Sequence, residues 1–308
     1  MKQPLQTRVA VQCLAVNDMK NDFKIFADCK PYLSESPMWH KKQKMLYWRG
    51  LSGEIYRKGM TGSVTDFERF DLKIGGIGSM VFTDTDEILI FGDMGKIFRW
   101  VPYSDPILYM DLGGSLFNDC IADPKGRIFC GMLAENYFDY EKRGRYGKLL
   151  RIDTDGSIVT LLDRIGTTPN GIRFSPDFTK LYFAITDDEC IYEYDYNAET
   201  GDISGGRVFA SGCCPDGIAV DEAGNVWNTY CLPGRPLQVF SPSGNLIREY
   251  FLPVRRVLSV AFGSEDGKTV FVTTAHENEP IGEHDGAVFY MQNDLCGCEE
   301  FEVTIKQK

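Results

Sequence analysis

Apolar residues along this chain fall in short runs broken by polar turn clusters, and no long amphipathic helix emerges from their spacing. The turn clusters include Asp123-Pro124-Lys125-Gly126, Asp155-Gly156, Ser175-Pro176-Asp177, Asp221-Glu222-Ala223-Gly224-Asn225, Ser241-Pro242-Ser243-Gly244 and Ser264-Glu265-Asp266-Gly267. Such punctuation between β-rich runs predicts hairpins at regular intervals.

Six segments align in one register. They begin at Glu35-Ser-Pro-Met-Trp39, Gly78-Ser-Met-Val-Phe82, Asn118-Asp-Cys-Ile-Ala122, Asn170-Gly-Ile-Arg-Phe174, Asp216-Gly-Ile-Ala-Val220 and Leu258-Ser-Val-Ala-Phe262. Each leads through a turn into a second strand: Met45–Trp48, Ile88–Phe91, Ile128–Met132, Leu181–Ala184, Val226–Thr229 and Val270–Thr273. Third strands follow in most units, as in Gly53-Glu-Ile-Tyr-Arg57 and Gly95-Lys-Ile-Phe-Arg99. The starts lie about 40 to 52 residues apart, the size of a four-stranded propeller blade. The expectation is an all-β fold, one six-bladed β-propeller domain over residues 1–308. Fourth strands are weakly marked, and residues 1–30 are expected to form an outer strand or to close the ring.

The register makes a chemical prediction. The first strand of each blade lines a propeller's central channel, so Glu35, Gly78, Asn118, Asn170, Asp216 and Leu258 stand at equivalent points around one axis. Four of them offer oxygen donors. Left unpaired in a narrow channel, one Glu, one Asp and two Asn would be costly, and a cation satisfies all four. Oxygen ligands without sulfur or imidazole suit one divalent ion, with Ca²⁺ first and Mn²⁺, Mg²⁺ or Zn²⁺ as alternatives. Asn-Gly and Asp-Gly are also common turn dipeptides, which explains any one position but not four in register.

The loops after the second strands surround the mouth of this site. They carry Arg49, Asp93, Glu135, Asn136, Tyr137, Arg143, Arg145, Asp187, Tyr230, His276 and Glu277, with the longest loops, 134–146 and 274–286, placed as lids.

Composition narrows the classes. A net charge of -11 opposes binding to nucleic acid and to anionic membranes. No apolar run approaches the roughly 18 residues that span a bilayer, and the first residues lack the apolar stretch of a signal peptide, so a cytoplasmic location is expected. Three histidines, His40, His276 and His284, leave little for a Ser-His-Asp triad or a His-rich metal site. The ten cysteines form no C-x-x-C and read as reduced, packed thiols. Cys214 stands apart, because it lies two residues before Asp216.

The motifs Glu35-Ser-Pro-Met-Trp39, Phe117-Asn-Asp119 with Asp123-Pro-Lys-Gly-Arg127, Pro169-Asn-Gly-Ile-Arg-Phe-Ser-Pro-Asp177, Pro215-Asp-Gly-Ile-Ala-Val-Asp221 and Val260-Ala-Phe-Gly263 resemble the SMP-30/gluconolactonase/luciferin-regenerating-enzyme family. The resemblance covers roughly residues 30 to 292. It implies a six-bladed propeller with one divalent metal held by Glu35, Asn118, Asn170 and Asp216. It also implies hydrolysis of a sugar lactone or related cyclic ester, with Asp216 as general base. Leu116, Glu135, Asn136, Tyr230 and His276 are the expected substrate contacts. Leu116 stands where sugar lactonases of this family often carry arginine, and Gly50 and Ile185 where they often carry aspartate. These departures suggest a substrate with fewer hydroxyls than gluconolactone, or one held by different loops. The same metal site could serve phosphotriester hydrolysis or sugar hydration and dehydration, or the propeller could bind calcium without catalysis.

Overall fold

The computed structural model describes residues 23–114, 116–137, 139, 141–142, 146–276 and 282–304. Within these residues the chain forms six four-stranded antiparallel sheets arranged as propeller blades. The inner strands are Ser34–His40, Ile77–Phe82, Phe117–Ala122, Pro169–Phe174, Pro215–Val220 and Val257–Gly263. Neighbouring inner strands pack against one another around the ring.

The turn chemistry is used as its composition dictates. Gly126 N donates to Asp123 O, Gly156 N to Asp153 O, Gly224 N to Asp221 O and Gly244 N to Ser241 O, each at 2.8–2.9 Å. Asp123 is fully buried, accepting from Arg127 Nε at 2.6 Å and from the Tyr196 hydroxyl at 2.8 Å. This turn is therefore locked into the packing between blades.

The second strands start and end within two residues of the expected limits, for example Ile128–Met132 and Lys180–Ile185. They are buried along almost their whole length, so both faces are apolar and the signal is strong. Outer strands such as Glu68–Asp71 and Leu246–Tyr250 are partly or mainly exposed, which is why their pattern was faint.

Ring closure uses the amino-terminal segment. Lys24–Ala27 pairs antiparallel with Val288–Gln292 and becomes the outermost strand of the sixth blade. One sheet thus joins strands from both ends of the chain. Beyond the sixth blade, the carboxyl-terminal stretch crosses the lower face. Cys298 N donates to Val220 O and Val303 N to Phe82 O, both at 2.8 Å, so it ties the fifth blade to the second at the inner-strand ends. Among the described residues no helix is long and apolar enough to cross a membrane.

Candidate metal centre

Glu35, Gly78, Asn118, Asn170, Asp216 and Leu258 each occupy the second position of an inner strand. The first position always pairs with the last residue of the second strand, as in Ser34↔Gly50, Pro169↔Ile185 and Pro215↔Tyr230. In all six blades the register then shifts at or just after that second position. A bulge repeated at one level re-aims the side chains there and interrupts the ladder.

Glycine at the following position has a steric cause. A Cβ on Gly171 would lie 2.6 Å from Ile218 N and 2.8 Å from Asp216 O. The Asn-Gly and Asp-Gly pairs are therefore points of close approach between blades, within strands, and not turns. Gly78 is tighter still, since a Cβ would meet the Phe117 carbonyl oxygen at 1.7 Å.

The hydrogen bonds orient the polar groups. Asn170 Nδ2 donates to Asp216 Oδ1 at 2.7 Å and to Thr186 Oγ1 at 3.1 Å. Asn118 Nδ2 donates to Pro169 O at 2.8 Å. Both amide nitrogens are thus engaged by protein, which leaves the amide oxygens as the groups available to a cation. Thr186, which the sequence did not single out, donates in turn to Pro215 O at 2.7 Å, bracing the strand that carries Asp216.

Charge is concentrated here. Burial drives the Asp216 carboxyl well above the usual carboxylate range, and repulsion from Glu35 and Asp119 adds to it; Arg256 and the Asn170 bond oppose the rise. Asp119 is raised to about 6, mainly by burial; Arg173 pulls it down, Glu35 pushes it up, and Arg49 again lowers it. A cation among these oxygens would relieve the strain, so the residues fit the divalent ion that the donor set suggests. Among the described residues no three His, Cys, Asp or Glu side chains converge as a metal-holding group. The four expected ligands, Glu35, Asn118, Asn170 and Asp216, include only two carboxylates beside two amides, so they fall outside that kind of group.

Arg49 is the largest departure from the sequence reading, which placed it only in a mouth loop. It is the cross-strand partner of Glu35, is 2% exposed, and forms an ion pair with the Glu35 carboxylate. Among the described residues its Nε and Nη1 have no hydrogen-bond partner. Asp119 was legible as part of Phe117-Asn-Asp119, but nothing in the spacing identified Arg173 as its electrostatic neighbour, or Arg256 as that of Asp216.

The expected substrate contacts are scattered. Leu116 is buried just before the third inner strand, where its carbonyl accepts from Leu133 N at 2.9 Å. Tyr230 ends the strand beside Asp216; its hydroxyl donates to Gly212 O at 3.3 Å, and Arg235 lies over its ring at 5.3 Å. His276 is half-buried, with its backbone N–H on Tyr32 O at 3.0 Å. Glu135 and Asn136 are exposed, and Glu135 lines a side cavity with Met132, Tyr146 and Lys148. Asp93 and Asp187 hold loops, accepting from Gly76 N and from Thr167 and Thr168 N. Arg143, Arg145 and Glu277, with parts of both lid segments, lie outside the described residues. Gly50 lies against the Glu54 carboxylate, and Ile185 is in the core.

Fold and inner-strand positions together define a class: six-bladed propellers that carry oxygen donors at the second position of several inner strands. The chain belongs to the SMP-30/Gluconolactonase/LRE-like family, which it matches over residues 33–276. It is 30% identical to pentonolactonase XacC of Haloferax volcanii over 290 residues, covering 89% of this chain and 95% of that one. It is also 30% identical to a 6-deoxy-6-sulfogluconolactonase of Pseudomonas putida, with 87% and 94% covered. The fold matches a solved calcium-binding protein, regucalcin, from Agrobacterium tumefaciens with a TM-score of 0.78, at 22% identity and with 92% and 97% covered.

Proposed function

We propose that this lactonase-like hydrolase opens a sugar lactone with the help of one divalent cation held by the oxygens of Glu35, Asn118, Asn170 and Asp216. The observation that carries the reading is the Asn170–Asp216 hydrogen bond at the axis, beside carboxylates whose mutual repulsion calls for a positive charge. A cation bound there supplies Lewis-acid polarisation of a carbonyl.

The chain's own groups supply the rest. Asp216 takes a proton from the attacking water as that oxygen bonds to the acyl carbon. The ring C–O bond then breaks, and the ring oxygen leaves as an alcohol carrying the proton returned by Asp216. The Asn170 amide holds the Asp216 carboxylate in orientation through Oδ1. The pairing of Arg49 with Glu35 restrains that carboxylate in the same way. An apolar Leu116 just before the strand that carries Asn118 favours a lactone with fewer hydroxyls on that side. The names of the relatives in Haloferax volcanii and Pseudomonas putida support a sugar-derived lactone.

A pH-stat assay on a panel of aldonolactones tests the proposal. Chelator-treated protein is expected to be inactive and to recover with Ca²⁺, Mn²⁺, Mg²⁺ or Zn²⁺. Inactivity on every lactone in the presence of all four ions would overturn it.

A further inference from the structure

The sulfur atoms of Cys214 and Cys231 stand 2.7 Å apart, well inside the contact distance of two unbonded sulfurs. We propose that these two residues are a modification site, at which oxidation forms an intramolecular disulfide that staples the head of the fifth blade beside Asp216.

The geometry follows from the strand register. Pro215 pairs with Tyr230, so Cys214, one residue before, and Cys231, one residue after, are the next facing pair. Cys231 N donates to Cys214 O at 3.1 Å, which holds the two backbones together. Cys214 has a positive φ of 33°, an uncommon conformation for a residue with a side chain. Arg256 Nε donates to Cys231 O at 2.9 Å, linking the pair to the sixth blade. Both cysteines are therefore held in place before any bond forms, and only a small movement brings the sulfurs to bonding distance. The other facing pair, Cys120 and Cys130, lies deep in the third blade at 6% and 0% exposure. Cys231 is half-buried and is the member that a small oxidant reaches first.

Hydrogen peroxide balances the reaction. The Cys231 sulfur attacks one peroxide oxygen, the O–O bond breaks, and Cys231 sulfenic acid and one water result. The Cys214 sulfur then attacks the Cys231 sulfur, the S–O bond breaks, and a second water leaves. The two thiols give up two electrons and two protons, and one peroxide is reduced to two waters.

The bond closes the hairpin that begins with Pro215 and ends with Tyr230, and Asp216 is the second residue inside it. It removes freedom from the unfolded chain and suppresses local opening of the inner-strand head. Peroxide-treated full-length protein, digested and mapped by mass spectrometry after alkylation, is expected to contain a Cys214–Cys231 peptide, with Cys120 and Cys130 alkylated. Its melting temperature is expected to rise by about 3 °C. Amide exchange across residues 213–218 is expected to slow about tenfold. Dithiothreitol should reverse all three changes, and Cys231→Ser should show none while keeping the reduced protein's fold. Alkylation of both Cys214 and Cys231 after peroxide treatment would overturn the proposal. So would a mapped bond that leaves melting and exchange equal to those of Cys231→Ser. None of these measurements depends on lactone hydrolysis or on bound metal.

Discussion

Asn170 of the fourth blade donates its amide N–H to Asp216 of the fifth across 2.7 Å, 46 residues away in sequence. The bond uses one Asp216 oxygen and one Asn170 nitrogen, and so determines which atoms remain for a cation. It also places an amide dipole against a carboxylate that burial makes hard to ionise.

Replacing Asp216 with asparagine should therefore have opposite effects on stability and activity. An amide carries no buried charge, so the metal-free Asp216→Asn protein is expected to melt at or above the wild-type temperature. Turnover of a lactone should fall by roughly 10²–10⁴-fold, the usual contribution of a general base. Scanning fluorimetry with chelator, beside initial rates with Ca²⁺, checks both. Unchanged turnover would remove Asp216 as the base.

Arg49 and Glu35 lead to a metal-dependent prediction. Truncating a buried guanidinium leaves its partner carboxylate uncompensated, typically at a cost of about 3–5 kcal/mol. Arg49→Met is expected to be destabilised on that scale without metal, and saturating Ca²⁺ should recover part of the loss by supplying another positive charge. Urea unfolding with and without Ca²⁺ measures the difference. Equal losses in both conditions would mean that Glu35 does not meet the ion.

The close approach of the inner strands makes Gly78 intolerant of even one methyl group. The Cβ of Gly78→Ala would fall on the Phe117 carbonyl oxygen, which has no rotamer to escape through. A loss of about 3 kcal/mol or more is expected in urea unfolding, well above the roughly 1 kcal/mol of an average substitution. A wild-type midpoint would show that the second and third blades separate easily at the axis.

Glu300 in the carboxyl-terminal stretch bears on pH. Its carboxyl is raised by burial, which outweighs the pull of Arg173, 3.6 Å away, and of Lys41. A raised acid binds its proton more tightly in the folded state, so ionised Glu300 opposes folding above its folded pKa. That penalty shrinks as pH falls and is gone below the unfolded value of 4.5. Glu300→Gln is therefore expected to be as stable as wild type, or more so, at pH 7.5 despite the lost ion pair. The advantage should vanish by about pH 4.5 in thermal melts. Lower stability at pH 7.5 would show that the Arg173 pair dominates.

The blade repeat was legible because inner and second strands are buried on both faces and separated by Gly, Pro and Asp turns. A one-residue slip would have put Glu35, Asn118, Asn170 and Asp216 at unequal depths, and all four stand at the second position of their strands. The outer strands were faint because solvent accepts nearly any residue on their exposed face. Arg49 looked like an ordinary mouth residue, since nothing in a linear pattern tells a solvated guanidinium from one buried against a carboxylate. Tyr230 was expected in a mouth loop and is instead the last residue of the strand Val226–Tyr230, and the partners of Leu116 and Tyr230, Leu133 and Gly212, come from backbone geometry.

The sequence by itself determined the six-fold repeat, the hairpin turns and the level of the axial oxygen donors, because these depend on local periodicity and backbone preference. The tertiary structure decided which donors touch, how the ring is closed by Lys24–Ala27, and that Arg49 faces Glu35. It also brought Cys214 against Cys231. Such contacts join residues far apart in the chain, and their energies come from shared burial and charge, which no short window of sequence contains.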